Sequence, residues 1–428
     1  MTGSAASGAT RRSVLGAAGA GLAGLALAAC GGNTGRPADS GSSAGGKPTL
    51  AQWYHQYGED GTEAAAKRFA AAYPNATVNV TWVPGDYDKK VAASLLTNAG
   101  PDVFEAGNGP SIDMILGNQV VDLSGLLGDA RSDYAPWLLD RMTYKDKLYG
   151  IPQDIDMQLF VYRKSMLSKA GVEPPKTLEE LVAAAGKLTT GKVKGLFLGN
   201  DGGAGVVGGP ILWSTGHDYL GRDNQPDFNN ADVQSALSTF HTLFTSGHLL
   251  LGAPSDWSEP NAIAQGLTAM QWTGLWTLPA LTKALGDDFG VLPFPAIGAS
   301  GKQSVPVGAY ASAVNAKSAH TSAAKDFVKW LWVDQTDKQL EWAQSYGFHI
   351  PARISLQAKA DKLKTGPAAD AVRYATDYGH VQTPLLWTPT SAAAFSDAID
   401  KIIRSGANPA STLAGVESTV NTELKRFA

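Results

Sequence analysis

The chain has 428 residues, 44% of them hydrophobic, which is more than one core usually organises, so two lobes are the default expectation. A formal net charge of -4 with no basic run excludes a nucleic-acid surface, because counterion release needs clustered Lys or Arg. The single cysteine excludes an intrachain disulfide, so nothing in the fold depends on an oxidising compartment.

Residues 1–30 read as an address rather than as structure. Arg11 and Arg12 precede an uncharged small and apolar run from Val14 to Ala29, too short and too rich in Gly and Ala for a stable spanning helix. The run ends in Leu27-Ala28-Ala29-Cys30, which resembles a bacterial lipobox, while Thr10 to Leu15 resembles a twin-arginine export motif from which Gly16 departs. Acylation at Cys30 would anchor the protein to the outer face of the cell membrane, each buried methylene adding about 0.8 kcal/mol. Residues 31–47 are a Gly/Ser tether reaching roughly 20 to 25 Å as a flexible coil.

The body then begins with strand, helix, strand, helix, strand. Leu50 to Tyr54 is a strand, Thr62 to Tyr73 a helix, Val78 to Trp82 an alternating strand, Asp86 to Asn98 a helix, and Asp102 to Phe104 the third strand. In such sheets ligands bind beyond the carboxyl ends of the strands. His55, Gln56, Tyr57 and Glu59 follow the first strand and Glu105 to Asn108 the third, so both loops should open on one cleft. Polar loops at strand ends are common without a ligand as well.

Farther along, Gly150 and Pro152 end one element and Met157 to Tyr162 starts another, with Asp154 and Asp156 between them. Thr177 to Glu180 is a capping box opening a helix to Lys187. The stretch Gly203 to Gly208 satisfies G-x-G-x-x-G, but a lone glycine pattern in a glycine-rich chain is weak, and a loop bordering the cleft with Asn200, Asp201 and Trp213 is the better reading. Val233 to Thr245 is helical; Trp257 is either a rim aromatic or plain packing.

The most informative stretch is Gly266 to Leu281, where Met270, Trp272 and Trp276 bracket Gly274. A strand should break at Gly274 and present the Trp276 indole beside exposed backbone, a place to stack a flat ligand, although two tryptophans in an apolar run also suit a core. Phe289 to Ala296 and Pro306 to Val314 follow, then a helix from Ser322 to Trp332, the turn Tyr346 to Pro351, and two final helices with stripes Phe395, Ile399, Ile402, Ile403 and Leu413, Val416, Val420, Leu424. Trp387 precedes those helices, either at a ligand or in the core.

The A-M-x-x-x-G-x-W segment at Ala269 to Trp276, with Gly100 to Phe104, Tyr149 to Lys164, Gly308, Tyr310 and the turn at Gly347 to Pro351, resembles the solute-binding proteins of bacterial ABC sugar importers, the maltose-binding protein class. The resemblance implies an α/β two-lobed Venus-flytrap fold, each lobe a mainly parallel sheet flanked by helices, with three interlobe crossings. Residues 48–155 and 305–350 would form lobe 1, and 156–304 and 351–428 lobe 2. It further implies crossings at Tyr149 to Lys164, at Phe289 to Ala296 and near Gly347 to Pro351. Sugar contacts would come from Glu105, Asn108, Asp156, Gly274, Trp276, Gly308, Tyr310 and Trp387. Asp102 is read as structural.

Aromatic, amide and carboxylate candidates with few cations suit a neutral mono- or oligosaccharide, whose C–H face stacks on a ring while its hydroxyls meet acceptors. The expected partners are that sugar, an ABC permease and the membrane through Cys30, for a monomer with no cofactor and no metal site. The alternatives are the same fold with a polyamine, phosphate ester, peptide or metal complex, and a glycoside-processing enzyme using Asp154 and Asp156. No Arg or Lys among the candidates argues against phosphate esters, and two acids approaching from one side argue against hydrolysis.

Overall fold

The structure, a computed structural model, describes residues 46–427; the leader, Cys30 and most of the tether lie outside them. Twelve strands build two sheets: β1 (Thr49–His55), β2 (Thr77–Val83), β3 (Val103–Gly107), β4 (Ile151–Pro152), β5 (Asp154–Tyr162), β6 (Lys194–Phe197), β7 (Thr268–Gly274), β8 (Gly290–Leu292), β9 (Val305–Gly308), β10 (Tyr310–Val314), β11 (Ile350–Pro351) and β12 (Gly379–Val381). The first sheet runs β2-β1-β3-β10-β4 and the second β12-β9-β5-β7-β6, with β8 and β11 also on β5.

The opening strand-helix-strand pattern behaves as its periodicity predicts. β1 lies parallel to β2 and β3, and the helix Thr62–Ala71 buries Ala65, Ala66, Phe69 and Ala70. Asp102 is structural: its carboxylate accepts the Ala51 N–H at 2.8 Å and the Ser318 hydroxyl at 2.5 Å. The capping box at Thr177 and Glu180 is formed in both directions. The closing helices Pro389–Ser405 and Pro409–Leu424 bury their expected stripes, apart from Leu424, which is only half-buried, and Gly406 ends the first in the left-handed region at φ 68°.

Two expectations are corrected. The sheets are mixed rather than mainly parallel, since β5 meets β7, β8, β9 and β11 all in antiparallel register. β5 runs against all four of its partners, and parallel pairing in this sheet is left to its two edges, β6 with β7 and β12 with β9. Phe289 to Ala296 is not a crossing, because β8 and β9 both pair with β5. The change of sheet falls instead within Pro306 to Val314: β9 belongs to the second sheet and β10 to the first, with Ala309 alone between them.

One apolar cluster runs beneath both sheets, from Leu50 and Tyr54 through Ile155 and Met157 to Val305 and Phe327. The far face of the second sheet carries its own core, including Phe160, Trp272, Phe240 and Ile402. The far face of the first is closed by Trp53, Tyr87, Val91 and Phe104.

Candidate functional site

All three crossings meet at the start of β5. The first is Gln153, between β4 and β5; the second is Ala309; the third is the turn before β11. Gly308 pairs with Asp156, Ile350 with Ile155 and Pro351 with Asp154, so three chain segments lie side by side within three residues of β5. Gly308 is required there: a Cβ would stand 2.0 Å from Asn108 Oδ1. Asn108 itself takes the left-handed conformation at φ 57°, and its N–H donates to the Ala309 carbonyl at 2.8 Å.

From the first sheet, Glu105 organises the loop after β1. Buried with 1% exposure, it accepts the His55 backbone N–H at 3.1 Å and the Tyr57 hydroxyl at 2.7 Å, and pairs with His55 Nδ1 at 2.9 Å. His55 then stacks on Tyr310 with ring centroids 4.3 Å apart and planes 15° from parallel. Burial lowers the His55 pKa, but the Glu105 charge and hydrogen bond outweigh it and the net shift is upward. Burial raises those of Tyr57 and Tyr310, which stay protonated donors.

At the crossings themselves, His349 Nδ1 is bonded to Asp156 and its Nε2 lies 3.7 Å from Glu59, while Trp342 Nε1 donates to Asp154 at 2.7 Å. Burial opposes a charge on His349, yet Asp156, Asp154 and Glu59 raise its pKa to about 10, so it is an imidazolium at neutral pH. Burial and then Asp156 push the Asp154 carboxyl upward. Burial does the same to Glu59. Asp154 Oδ1, Glu59 Oε2 and Gln153 Oε1 are buried without a hydrogen-bond partner.

Across the second sheet, a cavity of about 250 Å³ is walled by Trp213, Trp257, Trp387 and Tyr219, with Gln158, Gln382 and Thr383 supplying polar groups. β7 ends at Gly274, which pairs with Gln158 of that wall. The Trp276 indole lies on Gly274 so closely that a Cβ would stand 2.0 Å from the ring, and its Nε1 donates to the Ser258 carbonyl at 2.9 Å. Trp276 meets Trp257 edge to face, with centroids 6.0 Å apart.

The model of the bacterial extracellular solute-binding proteins matches residues 64–371 of this sequence. The chain belongs to that family. This solute-binding protein is 27% identical to the diacetylchitobiose-binding protein DasA of Streptomyces coelicolor, over 94% of this chain and 97% of the relative. It is 24% identical to the galactooligosaccharide-binding protein of Bacillus subtilis, over 94% of each chain. Its fold matches a solute-binding protein of Thermotoga lettingae bound to α-D-tagatose with a TM-score of 0.76 at 21% identity, covering 88% of this chain and 100% of that one. The two-lobed architecture is therefore that of the periplasmic binding proteins.

In this solute-binding protein the anticipated residues fall into three groups. His55, Tyr57, Glu59, Asn108, Asp156, Gly308 and Tyr310 converge at the crossings; Trp213, Trp257 and Trp387 line the cavity, with Gly274 and Trp276 joined to it through Gln158 and Trp257. Asp154 is a correction: at 0% exposure it presents no surface, because β11 and Trp342 cover it. Glu105 is likewise a positioning group, its oxygens taken by His55 and Tyr57. Gln56 is exposed and joins neither cluster, the Asn200 amide is taken by the backbone of Ala253 and Ser255, and Asp201 accepts N–H groups of its own loop.

Sequence reasoning passed over Trp342, His349, Gln158, Tyr219 and Gln382. It also expected no metal constellation, whereas Asp154, Asp156 and His349 place one ligand atom each within 4.8 Å of one another. The three are dispersed in sequence, so spacing could not have shown it. Within the group, His349 Nδ1 is bonded to Asp156.

Proposed function

We propose that this chain is the extracytoplasmic binding component of an ABC importer, anchored through Cys30, which captures a mono- or oligosaccharide and delivers it as a monomer to a membrane permease. The observation that carries this reading is the convergence of three crossings at Asp156 and Gly308, with the His55–Tyr310 stack on one side and a tryptophan-walled cavity on the other. Rings offer a pyranose an apolar face, and acceptors such as Asp156 and Glu59 take its hydroxyls. Each stacked face is worth about 1 kcal/mol at roughly 25 cal/mol per Å², and with several buried hydrogen bonds the sum reaches about -8 kcal/mol, a micromolar Kd. That is tight enough to capture and loose enough to release.

Residues 48–155 with 305–350 and residues 156–304 with 351–428 are the two lobes of this reading, and the change of sheet between β9 and β10 supports a second boundary a few residues later, near Ala309. Closure about the crossings brings both sets of contacts onto one ligand, and the closed form is what the permease recognises. The chain performs no chemistry on the sugar. A glycosidase needs two carboxyls that flank the scissile bond, whereas Asp154 is fully buried with its carboxyl held by Trp342 and lies close beside Asp156. The relatives named above support a saccharide by what their names say they bind.

A thermal-shift and calorimetry panel of mono- and oligosaccharides on the mature protein tests the proposal. A micromolar ligand recovered intact after incubation is the expected result; a panel with no binder, or product formation, overturns it.

A further inference from the structure

The neutral-ligand expectation rested on the lack of cations among the candidates, and the fold changes that. Arg141 follows the short helix Pro136–Asp140 on the side of the first sheet, where the neighbouring Met142 packs so tightly that a Cβ on Gly109 would stand 2.6 Å from its Cγ. This seats Arg141 behind the Asn108–Gly109 turn. Its Nε donates to the carbonyl of Thr383 at 2.5 Å, and Thr383, with Gln382, lines the cavity. Gln382 in turn is tied to the crossing, its N–H donating to the Val307 carbonyl at 3.0 Å.

Arg141 Nη1 is buried with no acceptor, and Arg141 makes no ion pair with any carboxylate among the described residues. Desolvation alone lowers its pKa, to about 10, and no nearby acid offsets it. Yet water still reaches part of the residue. The carbonyl it binds belongs to Thr383 of the cavity lining, which sets the guanidinium against that wall. Two partly exposed arginines show what is missing: Arg163 has Asp288 at 2.7 Å and Arg353 has Asp133 at 2.7 Å. A desolvated guanidinium without a counter-ion is costly, and its cost is offset when an anion arrives.

We propose that Arg141 receives a carboxylate carried by the bound saccharide, so that the ligand is an acidic sugar, a uronate or an oligosaccharide containing one. This rests on the saccharide reading above and narrows it. A planar carboxylate suits the guanidinium fork, which a hydroxyl matches poorly. The acids at the crossings do not oppose it: the Asp156 charge is met by the His349 imidazolium, and the Asp154 carboxyl is pushed toward its neutral form. The site thus has aromatic and acceptor groups at the crossings, where the one imidazolium is paired with Asp156, and a guanidinium without a paired acid among the described residues beside Thr383.

Calorimetry on the full mature protein would compare glucuronate, galacturonate and short oligouronides with the matching neutral sugars, the uronate methyl esters and N-acetylated sugars. The expected result is a uronate preference of about 30-fold over the neutral match and over the ester, lost in Arg141→Gln and partly kept in Arg141→Lys. The ester comparison uses the unaltered protein, so it decides the matter even if Arg141→Gln folds poorly. Neutral or N-acetylated sugars binding as well as uronates, or an ester binding as well as its acid, overturn the assignment while leaving the saccharide reading intact. No binding by any sugar overturns both.

Discussion

His349 reaches back from the third crossing to Asp156 on the first, and its other ring nitrogen faces Glu59 at 3.7 Å, so one imidazolium joins the turn before β11, the start of β5 and the loop after β1. Its raised pKa makes that junction a pH-dependent one. A group whose folded pKa lies above its unfolded value contributes fully below the unfolded value and loses the contribution as pH rises through the folded one. For His349 the window runs from about 6.5 to about 10. The melting temperature of the unaltered protein should exceed that of His349→Gln by the equivalent of roughly 2–4 kcal/mol at pH 6 and converge on it near pH 10. A gap that stays constant across that range would contradict the assignment.

Asp154 has the same sign for a different reason. Burial raises its carboxyl, so its protonated form is favoured in the fold and its ionisation costs stability as pH climbs from the ordinary carboxylate range. Asp154→Asn keeps an acceptor for Trp342 Nε1 and removes that cost. The variant should melt a few degrees above the unaltered protein at pH 8 and level with it at pH 4; differential scanning calorimetry at the two pH values decides it.

Trp276 and Gly274 should act as one unit, because the indole rests on the glycine. Trp276→Ala removes one stacked face, for about a tenfold or slightly smaller loss of sugar affinity with a modest melting shift. Gly274→Ala cannot coexist with the observed ring position, since its Cβ falls 2.0 Å from the indole. It should therefore reproduce the affinity loss through a displaced ring, visible as a change in tryptophan fluorescence. Unaltered affinity in both variants would remove Trp276 from the site.

Glu105 holds His55 and Tyr57 rather than ligand. Glu105→Ala leaves the Tyr57 hydroxyl and the His55 ring without their partner in a buried place, for a destabilisation of about 2–4 kcal/mol by urea denaturation. Sugar affinity should fall as well, since the His55–Tyr310 stack loses its anchor. A stability change below 1 kcal/mol would mean that the network is dispensable.

The element pattern of the first lobe, the capping box at Thr177, the closing stripes around Phe395 and Val416, and the break of β7 at Gly274 were all legible in the chain, because each is set by neighbours within a few residues. The aromatic candidates were legible too, since Trp276 and Trp387 sit in short motifs. What the order of residues could not give was which contacts close across it. Asp154 and Asp156 differ by two positions, yet β11 and Trp342, almost two hundred residues on, bury one while the other is left partly open facing His349.

Sequence alone therefore determined most of the secondary structure, through periodicity, caps and glycine placement, which act locally, and the class of the fold through the resemblance its short motifs carry. Tertiary structure decided which acid is covered, where the second crossing falls, and that Arg141 stands beside Thr383 with no paired carboxylate among the described residues. Those outcomes depend on burial and on pairing between distant segments, and neither quantity is written in any short stretch of chain.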